Sequence, residues 1–229
     1  MTPRVVVLAA PSGGGKTTIT REIRRRSPEL FGYSVSATTR KARPGERDGE
    51  AYHFLTRDEF LRRKAAGEFL ETAEYAGRLY GTLRDEVERV LKGGKHVLLD
   101  VEVQGARQVR QAYPGPASLI LFVVPPSPRV LIERLRQRRT ESEAELRRRI
   151  DIATREVETA RTELATVYDQ VLVNDDLDTA VNEVVELVRR SADGVTPPPA
   201  GDMANGLTSF VQELEREAEQ LRHSTRRSR

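Results

Sequence analysis

Short, unalternating apolar runs recur along the chain, and each is followed by a segment with helical spacing. The first run lies at 4–9, and a helical pattern begins at Lys16. Further runs of the same kind lie at 97–100, 119–124 and 171–173. Continuous apolar strands are typical of a parallel sheet covered on both faces, and strands that alternate with helices form βαβ units. The pattern therefore predicts an α/β fold of three layers, α/β/α, with a parallel core sheet.

Two segments interrupt this alternation. Residues 34–84 are rich in Gly, Tyr, Thr and charge, and they predict a small inserted α+β subdomain. Its expected elements are strands at 52–55, 69–75 and 78–80 and a helix at 57–66. Residues 127–165 are almost continuously helical and rich in arginine, which predicts a helical hairpin that stands off the core.

The last part of the chain has a different character. We predict one domain over 1–193, a Pro/Gly-rich linker over 194–206, and an amphipathic helix with a basic tail over 207–229. The apolar positions of that helix fall mostly on one face, at Leu207, Phe210, Val211, Leu214 and Leu221. The sequence leaves open whether this helix packs back on the domain or meets a partner.

Composition narrows the functional classes. Of 229 residues, 38 are Lys or Arg and 35 are Asp or Glu, and the net charge of +3 lacks the strong basic excess of nucleic-acid-binding proteins. With no cysteine and three scattered histidines, neither a disulfide scaffold nor a Cys or His metal site is expected. No apolar run reaches the ~18 residues of a membrane helix, and no secretory signal is recognisable. We expect a cytoplasmic protein with neither nucleic acid nor a membrane as partner.

A glycine-rich segment, Ala-Pro-Ser-Gly-Gly-Gly-Lys-Thr, follows the first strand. Glycines let backbone N–H groups converge on phosphate oxygens, a lysine neutralises the β- and γ-phosphates, and a hydroxyl holds Mg²⁺. Ala10 stands where the strict motif has its first glycine, a change that a negative φ tolerates. The segment predicts a P-loop for a nucleoside triphosphate, with Thr17 as the Mg²⁺ ligand. The binding residues would be Ala10, Pro11, Ser12, Gly13, Gly14, Gly15, Lys16, Thr17 and Thr18.

Asp100 closes the strand at 97–100. A carboxylate at this place is the expected partner of the P-loop magnesium, directly or through water, and a helix cap is the alternative. The loop and this carboxylate together indicate phosphoryl transfer or hydrolysis, and they do not name the acceptor.

The inserted segment suggests the acceptor. Arg40 and Arg43 lie among hydroxyl residues just before a Pro-Gly turn, and arginines hold phosphate oxygens by bidentate bonds. Tyr52, Glu71, Tyr80 and Thr82 follow. A carboxylate can accept from both N1–H and the 2-amino group of guanine, and a hydroxyl can donate to O6. Adenine cannot satisfy this arrangement, because buried groups would be left unpaired.

The sequence resembles the guanylate kinase family from about residue 4 to residue 190. Five motifs carry the resemblance in order and spacing: the P-loop, SVSATTRKARPGE, EYAGRLYGT, LDVEVQGA and VNDD. The resemblance implies that ATP and Mg²⁺ serve to phosphorylate GMP to GDP, by direct in-line transfer. It also implies a P-loop core, a GMP-binding subdomain and a lid.

Residue roles follow from the motif positions. The resemblance implies that the GMP phosphate is held by Ser36, Arg40, Arg43, Tyr52 and Tyr80. It implies that guanine is read by Glu71, Thr82 and Asp100, and that Asn174 lies beside the adenine of ATP. The implied catalytic residues are Lys16, Arg40, Asp100, Arg134, Arg138 and Arg149. Departures from the family pattern, besides Ala10, are Thr82 for a frequent serine, Glu102 for a common aspartate and Arg139 for a frequent glycine.

The residues also bear on two alternatives to this reaction. A protein-interaction module of the same fold that has lost catalysis would be expected to have a degraded phosphate loop, whereas Lys16 and Thr17 are present. A ribose-phosphate kinase of the same fold would not need Glu71 and Thr82. The sequence leaves open the oligomeric state and whether dGMP is also accepted.

Overall fold

A computed structural model describes residues 2–75, 77–137, 143–192 and 201–226. The strands are β1 Val5–Ala9, β2 Phe31–Tyr33, β3 Ala37–Thr38, β4 His53–Phe54, β5 Phe69–Tyr75, β6 Arg78–Leu83, β7 His96–Val101, β8 Ser118–Val124 and β9 Gln170–Val173. The helices are α1 Lys16–Arg26, α2 Arg57–Ala65, α3 Arg84–Lys92, α4 Val103–Ala112, α5 Pro128–Arg136, α6 Glu143–Glu163, α7 Leu177–Ala192 and α8 Gly201–Arg226.

The chain divides into two compact units. The first comprises Met1–Val7 and Thr20–Leu119, and the second comprises Leu8–Ile19 and Ile120–Arg229. Strand β1 runs through both units, so each contains part of the central sheet. Among the described residues this sheet has the order β2-β7-β1-β8-β9, and the pairs β2–β7 and β8–β9 are parallel.

The central strands explain the apolar runs in the sequence. Every residue of β1 and of β8 is buried, as expected for strands with helices on both faces. The parallel-strand sheet with helices around it confirms the predicted α/β fold class.

The predicted inserted subdomain forms a second sheet within the first unit, in the order β4-β3-β6-β5. Strands β3 and β4 are parallel, whereas β6 pairs antiparallel with both β3 and β5. Its own small apolar cluster includes Phe60 of α2 and Phe69 of β5, whose rings stack at 4.4 Å between centroids. Thr56 caps α2 by accepting a hydrogen bond from the Glu59 N–H. These contacts fix the strands that carry several of the predicted GMP-binding residues.

Helices α5 and α6 contact each other in the second unit, and each buries an apolar face. Leu131, Leu135, Ile150 and Val157 are fully buried, so the two helices have an apolar side, and the prediction of a hairpin that stands off the core stays a prediction. The arginine-rich composition concealed this face, since the charged residues occupy the remaining positions of each helical turn.

Helix α8 packs against α5 and α6. Of the two possibilities that the sequence left open, the structure therefore has the helix packed back on the domain. It begins at Gly201, so residues 201–206, which were predicted as linker, are helical. Its buried positions are Leu207, Phe210, Val211, Leu214 and Ala218. The side chain of Leu221, predicted on the same face, lies outside the described residues. No helix in the described ranges is long and apolar enough to cross a membrane.

Candidate nucleotide-binding sites

The P-loop of the second unit needs glycine for two different reasons. Gly13 and Gly15 have φ values of +91° and +96°, which residues with a side chain rarely adopt. Gly14 is required by space, because a Cβ there would lie 2.8 Å from the Ala10 methyl group and 3.1 Å from the Val123 carbonyl oxygen. Ala10, which replaces the first glycine of the motif, thus packs directly against Gly14. An alanine at position 10 is compatible with the loop only because Gly14 has no side chain.

Side chains distant in sequence hold the loop in place. The Ser12 N–H donates to Glu156 of α6 at 3.0 Å, and Arg149 of the same helix donates to the Ser12 hydroxyl at 3.0 Å. The Asn174 amide, after β9, donates to the Gly14 carbonyl at 2.9 Å. Arg149 and Asn174 are only 4% and 6% exposed. Two of the predicted ATP-binding loop residues, Ser12 and Gly14, are therefore each hydrogen-bonded to a side chain that is remote in sequence.

Arg134 of α5 brings a buried positive charge to the same loop. Its Nη2 donates to the Asn174 carbonyl at 2.9 Å. Its Nη1 is buried and has no hydrogen-bond partner among the described residues. A Cβ built on Gly15 would lie 3.6 Å from this nitrogen. A cavity of about 400 Å³ opens here, lined by Gly13, Gly15, Thr18, Arg134, Gln137, Asn174, Asp175 and Leu177. A guanidinium N–H that is buried without a partner beside a P-loop is suited to an incoming phosphate oxygen.

The remaining predicted catalytic residues are placed as follows. Lys16 and Thr17 open α1 directly after Gly15, and Thr17 is exposed. Asp100 lies near the end of β7 in the first unit. Arg138 and Arg139 lie outside the described residues.

The predicted GMP-phosphate residues of the first unit lie largely together. The Arg40 guanidinium forms a bidentate pair with Glu46 at 2.9 Å for each bond, and its centre is 5.3 Å from the centroid of the Tyr52 ring. The Tyr52 and Tyr80 rings meet edge to face with centroids 6.2 Å apart. The Arg43 backbone N–H also donates to Glu46, at 2.7 Å, while the Arg43 side chain is exposed. Glu46 therefore orients the loop that carries both arginines.

Charges in this cluster affect its titration. The hydrogen bonds from Arg40 and from the Arg43 backbone hold the pKa of the Glu46 carboxyl below its ordinary value. Burial raises the pKa of the Tyr52 hydroxyl, and the neighbouring Tyr33 and Asp100 raise it further. Tyr52 therefore stays a neutral hydrogen-bond donor at physiological pH.

Glu71 and Thr82 form a buried polar pair across β5 and β6. The Thr82 hydroxyl donates to the Glu71 carboxylate at 2.8 Å, and the two residues are 6% and 1% exposed. A Cβ at Gly105 of α4 would lie 2.6 Å from the other Glu71 oxygen. Gln108 of α4 also ties this helix to β5, because its side chain accepts from the Thr72 N–H and donates to the Thr72 carbonyl. Glu71 is thus fixed between a hydroxyl on one side and a bare helix backbone on the other.

Comparison with known proteins decides the family. A guanylate kinase family model matches residues 2–191. A guanylate kinase of Trichormus variabilis is 44% identical over 181 residues, which cover 79% of this chain and 87% of the relative. Another, of Synechococcus sp. (strain JA-3-3Ab), is 46% identical over 185 residues, or 81% of this chain and 82% of the relative. The chain belongs to the guanylate kinase family.

A solved structure agrees with this assignment. The crystal structure of guanylate kinase from Anaplasma phagocytophilum superposes with a TM-score of 0.60 at 30% identity, covering 82% of this chain and 85% of that one. The guanylate kinase family match includes both nucleotide sites and ends before α8. The sequence-based resemblance is therefore confirmed.

Two carboxylates of these sites were not predicted from the sequence. Glu46 belongs to a quoted guanylate kinase motif, but no role was assigned to it, since its partner Arg40 was expected to face phosphate alone. Glu156 is 144 residues away from Ser12, and a single glutamate on an arginine-rich helix gives no signal of a contact with the P-loop. The order Arg-Pro-Gly-Glu was the available signal for Glu46, because a Pro-Gly turn returns the following residue toward the arginine.

Proposed function

We propose that this chain transfers the γ-phosphoryl group of ATP to GMP, giving ADP and GDP. Its membership of the guanylate kinase family supports ATP-dependent phosphorylation of GMP. The observation that carries the choice of acceptor is the buried pair of Glu71 and Thr82. An ionised Glu71 can accept from guanine N1–H and the 2-amino group, whereas adenine offers a ring nitrogen acceptor at position 1 and would leave the carboxylate unsatisfied.

The contact between Thr82 and Glu71 refines the role proposed for Thr82. Because a carboxylate only accepts, the Thr82 hydroxyl uses its proton on Glu71 and fixes that carboxylate. Donation from Thr82 to guanine O6 would require the hydroxyl to turn. We therefore assign Thr82 first to the positioning of Glu71 and second to the base itself.

Replacing Gly105 with alanine should weaken GMP binding without unfolding the chain. The new methyl group would lie 2.6 Å from a Glu71 oxygen, so the end of that side chain must move away from its position beside Thr82. We expect KM for GMP to rise roughly tenfold, the equivalent of losing about one hydrogen bond to a charged group. Steady-state kinetics with GMP varied at saturating ATP measures this. Gly206→Ala in α8 is the matched control, since its Cβ would meet open space; equal KM values for both variants would contradict the role of Glu71.

The residues of the second unit would act on ATP. Lys16, Arg134 and Arg149 would neutralise the charge that is shared by the terminal phosphates and the transferring group, while the P-loop N–H groups hold the triphosphate. The attacking GMP phosphate oxygen is already anionic, so the transfer needs no strong general base. Positioning and charge neutralisation would then supply most of the rate enhancement. The cavity beside Asn174 supports this as the place for ATP.

We propose Mg²⁺ as the accompanying ion. The residues fit it, because Thr17 offers an exposed hydroxyl in the first turn of α1, and Mg²⁺ prefers hard oxygen donors with few protein ligands. When bound with ATP, Mg²⁺ would neutralise charge on the β- and γ-phosphates. Thr17 would hold the ion, and the contact of Asp100 with it through water stays a prediction from the sequence.

The alternatives are less favoured by specific residues. An inactive interaction module would not need Arg134 and Arg149 beside the P-loop, and a ribose-phosphate kinase would not need Glu71 and Thr82. The cytoplasmic location and the lack of nucleic-acid and membrane partners stay predictions, as does the use of dGMP.

A coupled ADP-release assay tests the proposal. With ATP and Mg²⁺ present, GMP, AMP, CMP, UMP and ribose bisphosphate are compared as acceptors, and dGMP is added as a sixth. We expect ADP release that depends on GMP, because among these bases only guanine offers two adjacent donors, N1–H and the 2-amino group, to the Glu71 carboxylate. No release with any acceptor, from folded protein that still binds GMP, would favour the interaction module. Release with ribose bisphosphate alone would favour the other kinase.

A further inference from the structure

Helix α3 starts directly after β6, the strand that carries Tyr80 and Thr82. Glu86 lies in the first turn of α3, and its side chain is 20% exposed. Its Oε2 accepts from the Val35 N–H at 3.3 Å and from Arg89 Nη2 at 2.8 Å. Val35 immediately precedes Ser36, one of the proposed GMP-phosphate residues. Glu86 therefore connects α3 to the segment that presents Ser36.

The other oxygen of Glu86 faces the strand beside Tyr52. Oε1 lies 3.9 Å from Nε2 of His53, a buried nitrogen that makes no hydrogen bond within the described part of the chain. The His53 backbone N–H donates to the Ser36 carbonyl at 2.9 Å. The two segments that Glu86 contacts, at Val35 and at His53, are therefore also hydrogen-bonded to each other. Tyr52, the residue before His53, is the Tyr that packs against Tyr80.

Arg89 completes the arrangement from the same helix. Its Nη2 also donates to the Tyr33 carbonyl, at 3.2 Å, so α3 holds the chain on both sides of Ser34. Burial raises the pKa of the Glu86 carboxyl, but the hydrogen bonds from Arg89 and Val35 N–H and the charges of Arg89 and His53 outweigh it and leave the pKa below its ordinary value. Glu86 is therefore ionised at neutral pH, when it can accept from both the Val35 N–H and Arg89.

We propose that Glu86 is a positioning residue for the GMP phosphate site and that it holds Ser36 and Tyr52 at a fixed spacing from Tyr80. The inference rests on the proposed phosphorylation of GMP. Besides the loop that carries Arg40 and Arg43, three segments bring residues to this site: the chain before β3, the residue before β4, and β6. Glu86 is attached to the third through its own helix and contacts the first two through Val35 and His53. Glu86 would act through the segments that carry Ser36 and Tyr52 rather than on the reacting atoms, so its effect would be on the affinity for GMP.

The position of the charge distinguishes this role from ordinary helix stabilisation. An acid near the start of a helix stabilises the helix wherever its side chain points. Glu88 on the same helix gives the comparison, because it is half exposed and pairs along the helix with Lys92, at 2.9 Å. Loss of Glu88 would test the helix, and loss of Glu86 would test the helix together with the site.

Three variants of the full chain, Glu86→Ala, Glu86→Gln and Glu88→Gln, form the test. We expect Glu86→Ala to raise KM for GMP about tenfold, with kcat and KM for ATP within about twofold of wild type. Glu86→Gln should give a smaller rise, of about twofold to threefold, because the amide oxygen can still accept from Val35 N–H. Glu88→Gln should leave KM for GMP unchanged. Calorimetric titration of GMP without ATP should give the same order of affinities.

Distinct outcomes would overturn the inference. An unchanged KM for GMP in Glu86→Ala would remove Glu86 from the site. A parallel loss of kcat, ATP affinity and melting temperature would make it a purely structural residue, as would an equal effect of Glu88→Gln. Wild-type protein that turns over ATP only with another acceptor would instead refute the proposed function, and that result is seen before any variant is compared.

Discussion

Replacing Lys16 with alanine is expected to lower kcat by a factor of about 10³ or more. Lys16 follows Gly15 at the start of α1, where its ammonium group and the N–H groups of the loop would meet the β- and γ-phosphates. During transfer, negative charge shifts among these oxygens, and a fixed cation that favours the transition state is worth several powers of ten in comparable phosphoryl-transfer enzymes. The Lys16→Ala variant keeps helix α1 but has no cation to balance the negative charge on the phosphate oxygens. We therefore expect the loss to appear in kcat.

Initial rates of ADP release at saturating ATP and GMP measure this effect. Lys92→Ala is the matched control, because Lys92 is an exposed lysine at the end of α3 that pairs with Glu88. GMP binding, measured by titration without ATP, should be retained in Lys16→Ala, since the proposed GMP residues belong to other segments. Turnover close to that of Lys92→Ala would refute the proposed role of Lys16.

The features predicted correctly from the sequence are those that depend on neighbours in the chain. The P-loop is one example, because its glycines, Lys16 and Thr17 are adjacent, and the apolar strand before it needs only its own composition. Strands β5 and β6 are a second example, since they are joined by a short connection and pair with each other. For such elements the local pattern already contains most of the physical reason for the structure.

Other features depend on partners that are remote in sequence. Strand β2 has only three residues, including Gly32, so it has no readable alternation, and it is a strand because it pairs with β7. Glu86 and Glu156 look like ordinary charges on helices, which is the usual reading of such residues. They accept hydrogen bonds from the backbone of Val35 and Ser12, which lie 51 and 144 residues away. A single sequence cannot show these contacts.

Helix α8 is the feature about which the sequence left two possibilities, and its packing leads to a large expected effect on stability. Leu214 is fully buried where α8 packs on α5 and α6. Leu214→Ala would remove buried methyl groups and leave a cavity, which usually lowers the free energy of unfolding by about 2–5 kcal/mol. For a chain of this size, about 1 kcal/mol corresponds to roughly 2–4 °C in melting temperature. We therefore expect the melting temperature to fall by about 4–20 °C.

Thermal unfolding of the full chain measures this loss, with Gln212→Ala as the control. Gln212 is exposed on the same helix, so its replacement should change the free energy of unfolding by no more than about 0.5 kcal/mol.

Truncation after Ala192 should lower the melting temperature more than Leu214→Ala does, because it also exposes the faces of α5 and α6 that α8 covers. The family match ends at residue 191 and so provides no information on α8, which makes this a test of the packing itself. If Leu214→Ala and the truncated chain both melt like wild type, α8 does not pack on these helices in solution. If they melt earlier, α8 stabilises the two helices that carry Arg134 and Arg149 to the P-loop.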